Sequence, residues 1–386
     1  MFTIKTLTTG AAMSLLLISS VVTSGCSDKK DNPDAPVVES KDIDINASNI
    51  KSWTNYMVQV SYLLKTDADN LLSAWTTSYN GGRSFAESFK NFSLNEYPSA
   101  VSCTEEIIDK MAEIANEVGQ AKIGDPYALY IANRREEALY AVESWYSWHS
   151  RDDYTNNIYS IRNAYFGSLN GSVTNSSLSS LIKAVNPELD KAVSDAITKA
   201  ATSIQAIQQP FRNNIPGTPT LNAMEACAEL EDLLNNQLKP FAVTLPESDL
   251  TKMVALYVDN VVIPTYTALS RNNSLLNEAV KTLAANPNND NFEKACRAWM
   301  TAREPWETSE AFLFGPVDAM GLDPNMDSWP LDQDNIVQIL NSGNFDNLNW
   351  IDGDDDDKIE AVQSVRGFHT LEFLLFKDGK PRTVNF

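Results

Sequence analysis

The chain has 386 residues, enough for more than one hydrophobic core, and its 43% hydrophobic and 21% charged residues are the balance of a soluble globular protein. Acids outnumber bases 51 to 30, a net charge of −21. That excess repels phosphate backbones, and without a basic stripe interleaved with aromatics it excludes nucleic acid as a partner.

The first 26 residues read as a leader. Lys5 is its basic end, an apolar stretch runs from Gly10 to Val22, and TSGC leads into Cys26. The apolar stretch is too short to span a bilayer as a mature helix. The pattern resembles bacterial lipoprotein signals, whose cysteine is diacylated and becomes the mature N-terminus, although Thr23 stands where leucine is usual. The resemblance implies a protein of the bacterial cell envelope, lipid-anchored at Cys26 and facing the periplasm or the cell surface. Residues 27–45 are polar, charged and broken by Pro33 and Pro36, which predicts a flexible tether. No further stretch reads as a membrane span.

Helical periodicity dominates the rest. Ile107, Ile108, Met111, Ile114, Ala115 and Val118 recur at 3.6-residue spacing, as do Leu189, Ala192, Val193, Ala196, Ile197 and Ile204. Asn186, Pro187 and Glu188 form a helix start, and Asp290 with Glu293 predicts another. The predicted fold is all-α: two packed helical bundles, each resembling a four-helix bundle, over 46–242 and 246–386, with the boundary in the proline-flanked stretch Pro240–Ser248. A faint echo between Asn157-Ile158…Ile161 and Asn335-Ile336…Ile339 suggests that the bundles are pseudo-repeats. Gly315–Asn335 is a long loop rich in proline and acids, of the kind that often carries function. The acidic stretch Asn349–Glu360 lacks the glycine and glutamate positions of a calcium loop and reads as a solvated tip. Cys103, Cys227 and Cys296 have no CxxC spacing, so buried packing is expected of them rather than a metal ribbon; a pairing among them is not fixed by the sequence.

Two stretches set charges among apolar neighbours. In RGFHTLEFLLF, Arg366–Phe376, His369 and Glu372 stand one helical turn apart, so they share a face. Such a pair suits metal ligation, or acid–base work in which the glutamate fixes the imidazole tautomer, or a structural hydrogen bond. In Ala298–Pro316, Trp299, Arg303, Trp306, Glu310 and Phe314 fall on one stripe of a predicted helix, so an arginine and a glutamate need partners in a core. These two helices are expected to line one pocket.

Together these segments resemble the imelysin family. Gly367, His369 and Glu372 match its Gly-x-His-x-x-Glu hallmark; Arg303, Trp306, Ser309, Glu310, Phe314 and Gly315 match the segment that precedes it, and Ser328–Pro330 its tryptophan-proline. Val254–Val280 resembles the helix that opens the family's domain. Asn156–Ser168 and the stretch from Asn186 resemble segments that ordinarily follow the histidine motif, which implies a circular permutation with its junction near Pro240–Ser248. The resemblance implies a secreted or lipid-anchored helical protein linked to bacterial iron uptake. Its pocket between the bundles would be formed by Gly367, His369, Glu372, Arg303, Trp306, Ser309, Glu310, Phe314 and Asn157. His369 and Glu372 are the expected ligands of iron or another divalent metal, or the groups that orient its ligands, or they pair with Arg303 and Ser309 in a closed network that holds no metal; iron-uptake components are the expected partners. The alternative is a metal-dependent peptidase using the same pair. Peptidase zinc helices carry two histidines, whereas Phe373 follows Glu372 here and His149 is the one other histidine.

Overall fold

The computed structural model describes residues 43–346, 348–351 and 354–386. The leader, Cys26 and the tether up to residue 42 lie outside the described residues. The span Ser40–Phe386 forms one compact unit.

Ten helices organise it: α1 (Ile50–Thr76), α2 (Ala100–Glu117), α3 (Ser150–Phe166), α4 (Pro187–Gln205), α5 (Thr218–Leu233), α6 (Glu247–Tyr257), α7 (Ile263–Ala285), α8 (Asn289–Glu307), α9 (Leu322–Asp327) and α10 (Gly367–Leu375). Further helical segments, among them Leu178–Val185 and Gln333–Ser342, connect them. The two strands of the described residues, β1 (Phe376–Lys377) and β2 (Lys380–Pro381), form one small antiparallel hairpin. No helix among the described residues is long and apolar enough to cross a membrane. The fold is all-α.

The helices sort into two groups of four. One contains α1, α7, α8 and α10; the other contains α2, α3, α4 and α5. Helices α3 and α8 meet between the groups. Helix α1, from the first of the two expected segments, packs against α7 and α10 of the second. The groups therefore interleave along the chain.

Local chemistry explains several boundaries. Asn186 caps α4 through its side chain, with Pro187 in the first turn as expected. Helix α8 starts two residues before the cap expected at Asp290: Asn288 is extended there, and its side chain accepts from the Asn291 amide. Pro264 follows a π-turn at Val258–Val262, where the Ile263 amide reaches back to the Val258 carbonyl. The wider turn lets the chain run from α6 into α7 across a residue with no N–H to give. The three described cysteines are buried and free.

The stripe from Trp299 to Phe314 is not one helix. Helix α8 ends at Glu307, and Glu310–Phe312 forms a separate 3₁₀ turn. Pro305 lies inside α8 and leaves the Thr301 carbonyl without its helical donor; Asn272 Nδ2 donates to it at 2.9 Å. Phe314 is thereby carried away from the stripe into an aromatic cluster with Trp75, Phe85, Phe89 and Tyr97.

Candidate functional site

Helix α10 is buried along its whole length. It begins at Gly367, whose φ is +85°, and a Cβ there would sit 2.5 Å from the Met326 carbonyl oxygen. Only glycine combines that backbone conformation with so close an approach to α9. The Trp299 indole donates to the Phe368 carbonyl at 3.0 Å, and the Trp53 indole to the Leu374 carbonyl at 2.8 Å. These two tryptophans fix the helix at both ends.

His369 and Glu372 share a face as the spacing predicts, with Nδ1 3.1 Å from Glu372 Oε2. The other carboxylate oxygen of Glu372 accepts from the Ser147 amide at 2.8 Å and the Ser147 hydroxyl at 2.6 Å. On the far side of the ring, Nε2 lies 3.2 Å from Asp327 Oδ1 and 3.3 Å from Arg303 Nη2. Two carboxylates thus face the two ring nitrogens. Burial and Arg303 oppose a charge on the ring, but Asp327 and Glu372 outweigh them and push the His369 pKa up to about 9. When protonated, His369 donates from both nitrogens, and its Arg303 contact is then proximity between two donors. Trp329 closes the site edge-on at 4.8 Å between ring centroids.

Arg303 is the hub. It is fully buried and faces three carboxylates: Asp153 at 3.3 Å, Glu307 at 2.5 Å, and Asp327 in a short contact. Trp306 donates to the second oxygen of Asp327 at 2.8 Å. Asp153 also accepts from the Ser144 hydroxyl and pairs with His149 Nδ1 at 2.7 Å. Burial works against the charges of Asp327 and Asp153, yet Arg303 with His369 holds Asp327 far below the ordinary carboxylate range, and His149 with Arg303 holds Asp153 at about 2. Burial likewise opposes a charge on His149, but Asp153 raises it to about 9. Asn157 donates to Glu307 Oε2 at 2.5 Å, which ties α3 to the end of α8.

A second cluster adjoins the hub. Carboxylate oxygens of Glu307, Glu310 and Asp327 all lie within 4.8 Å of one another. Glu310 is nine-tenths buried, and its carboxylate has no hydrogen-bond or ion-pair partner among the described residues. Burial pushes Glu310 well above the carboxylate range, with Lys122 pulling against it and Glu307 adding to it. Burial also lifts Glu307 to about 8, despite Arg303. Lys122, itself buried, pairs with Glu143 at 3.0 Å and approaches Glu117 at 3.6 Å. The cluster holds more carboxylates than its cations balance, and the added charge of a bound cation would let them ionise.

Of the residues singled out from sequence, Gly367, His369, Glu372, Arg303, Trp306, Glu310 and Asn157 converge here. Ser309 is buried nearby, but its hydroxyl turns to the Trp306 carbonyl at 2.7 Å. Phe314 does not reach the site. Asp327, Asp153, Glu307, Lys122 and Ser147 were not singled out. Glu307 directly follows Trp306, and Asp327 ends α9 within Gly315–Asn335, the stretch expected to be a functional loop and found to be partly helical, so both had a signal. Asp153, Lys122 and Ser147 are brought in by tertiary packing alone.

A family model described as imelysin matches residues 29–238 and 262–385. The chain belongs to the imelysin family. A crystal structure of an imelysin peptidase from Bacteroides ovatus is 60% identical, superposes with a TM-score of 0.88, and covers 89% of this chain and 99% of its own. Iron-regulated protein A of Synechococcus elongatus is 30% identical over 172 residues, 43% of this chain and 38% of that protein. This chain thus aligns with less than half the length of that curated relative.

Proposed function

We propose that this imelysin is an extracytoplasmic binding protein of bacterial iron acquisition, lipid-anchored at Cys26, that holds a hard metal cation as cargo between its two helix groups. The observation that carries the reading is the Glu307, Glu310 and Asp327 cluster, whose donor oxygens lie within 4.8 Å of one another and include an unpartnered, nearly buried Glu310. Oxygen donors about 2 Å from one ion stand up to about 4 Å apart, so small side-chain shifts bring these three onto a single ion. An all-oxygen set suits iron or another hard cation better than catalytic zinc. The relative named for its iron regulation supports the direction of this reading.

In this reading His369 and Glu372 are the groups that orient the ligands rather than the ligands themselves. Both ring nitrogens face carboxylates, and an imidazolium has no lone pair for a metal. His369 instead orients Asp327, and Arg303 holds Asp327 and Glu307 in place, as residues behind a metal's ligands do. The peptidase named in the Bacteroides ovatus structure is the second reading. It lacks a helix with two histidines here, and His149 is committed to Asp153 at 2.7 Å. A permuted order of the halves would leave such a site intact, because the site depends on which helices meet.

Metal content decides between the readings. The soluble part from residue 27 is loaded with ferrous or ferric ion, desalted, and its bound metal counted by mass spectrometry. About one ion per chain, lost in Glu310→Gln and retained in Glu372→Gln, supports the proposal. Loss in Glu372→Gln alone supports the His369/Glu372 site, and no bound metal in the unmodified chain overturns both.

A further inference from the structure

Outside the buried network, a cleft of about 800 Å³ opens between the Val118–Ile131 segment, the short helix Arg135–Tyr140 and the loop after α9. Its size suits a small organic molecule. Six acids line it: Glu117, Asp125, Glu136, Glu137, Glu143 and Asp332. Lys122 and Arg134 are the two bases among the lining residues, so the formal lining charge is two minus six, or −4. Both bases are already paired, Lys122 with Glu143 at 3.0 Å and Arg134 with Glu137. Asp125, Glu136 and Asp332 are exposed and make no ion pair among the described residues, although Asp332 accepts from the Asn335 amide at 3.0 Å.

Apart from Gln333, the remaining wall is apolar and aromatic. Leu129, Leu331 and Pro330 stand beside Tyr140 and Trp329. The Trp329 indole N–H is buried and has no acceptor among the described residues. A bare metal ion has no use for such walls. An amine on an apolar body uses both features: its charge meets the uncompensated carboxylates, and its body and ammonium lie against the aromatic faces.

We infer that this cleft is a binding site for an organic cation, an amine or quaternary ammonium carried on an aromatic or aliphatic body. The inference stands apart from the metal site, since it uses the cleft's own lining. Trp329 is shared by both, because its ring packs edge-on to His369 at 4.8 Å.

The test uses the soluble chain in the presence of a chelator, with phenethylamine as the probe and 2-phenylethanol as its neutral counterpart, read by titration calorimetry. A single charge on the probe limits diffuse attraction to a protein of net charge −21. The expected result is one phenethylamine per chain, bound at least about tenfold more tightly than 2-phenylethanol. Asp125→Asn with Glu136→Gln removes two exposed charges without touching a core and weakens phenethylamine by about fivefold. Trp329→Leu weakens both probes. Glu188→Gln with Glu278→Gln, exposed acids on α4 and α7 that do not line the cleft, leaves binding unchanged. Absence of binding, equal binding of the two probes, or equal weakening by both pairs of acid substitutions overturns the inference.

Discussion

Replacing Arg303 by methionine tests whether the buried hub holds the two helix groups together. Arg303 is 0% exposed and faces Asp153, Glu307 and Asp327, which come from α3, α8 and α9. Methionine keeps much of the stem's packing and removes the charge. Asp327 and Asp153, both held below the ordinary carboxylate range in part by this guanidinium, then lose a principal counter-ion. Glu307, with its pKa near 8, meets the loss by staying protonated and adds little. Breaking a buried pair from one side costs about 3–5 kcal/mol. At roughly 2.1 cal/mol/K per residue, the unfolding entropy of the compact unit is about 0.7 kcal/mol/K, so Tm falls by about 4–7 °C. The assay is thermal unfolding by calorimetry at pH 7, with Arg303→Met/Asp327→Asn alongside. Relieving the stranded aspartate should recover part of the loss. A loss below about 1 kcal/mol, or a double variant no better than the single one, would refute the hub argument.

Gly367→Ala places a Cβ 2.5 Å from the Met326 carbonyl oxygen at φ +85°; it should destabilise the protein by about 2 kcal/mol or more, and denaturant unfolding reads this directly. His149, raised to about 9 through Asp153, contributes stability that is fully present below its unfolded pKa of about 6.5 and is lost as pH rises through about 9. The Tm gap between the unmodified chain and His149→Gln should therefore be widest near pH 6 and close by about pH 9.5; a gap independent of pH would contradict the ion pair. Lys122→Met removes the cation that pulls down the Glu310 pKa. Proton competition at Glu310 then grows, so metal affinity should fall more steeply with falling pH in the variant than in the unmodified chain, as calorimetric titration over a pH series would show.

The helices were legible because their apolar residues repeat at helical spacing and their caps use Asn, Ser and Pro in familiar positions. Gly367, His369 and Glu372 were legible because charge beside a run of Phe and Leu demands partners. The end of α8 was not, because the apolar stripe continues past Glu307 while Pro305 and the turn at Glu310–Phe312 break the helix beneath it. Phe314 kept its place in the pattern and lost it in space. The chain's long-range order concealed the rest. Asp153 reaches Arg303 across 150 residues and Ser147 reaches Glu372 across 225, and no local spacing marks either contact. His369 and Glu372 meet as their spacing predicts, whereas Asp327, which faces the far ring nitrogen at 3.2 Å, comes from a segment that no spacing ties to them.

The central claim is where the ion sits, and locating it is the most direct test. Crystals of the soluble chain soaked with ferrous or ferric ion, with diffraction recorded at the iron absorption edge, give an anomalous-difference map. The account predicts one strong peak bounded by Glu307, Glu310 and Asp327, absent from crystals of Glu310→Gln. A peak bonded to His369 and Glu372, or none at full soaking concentration, would contradict it.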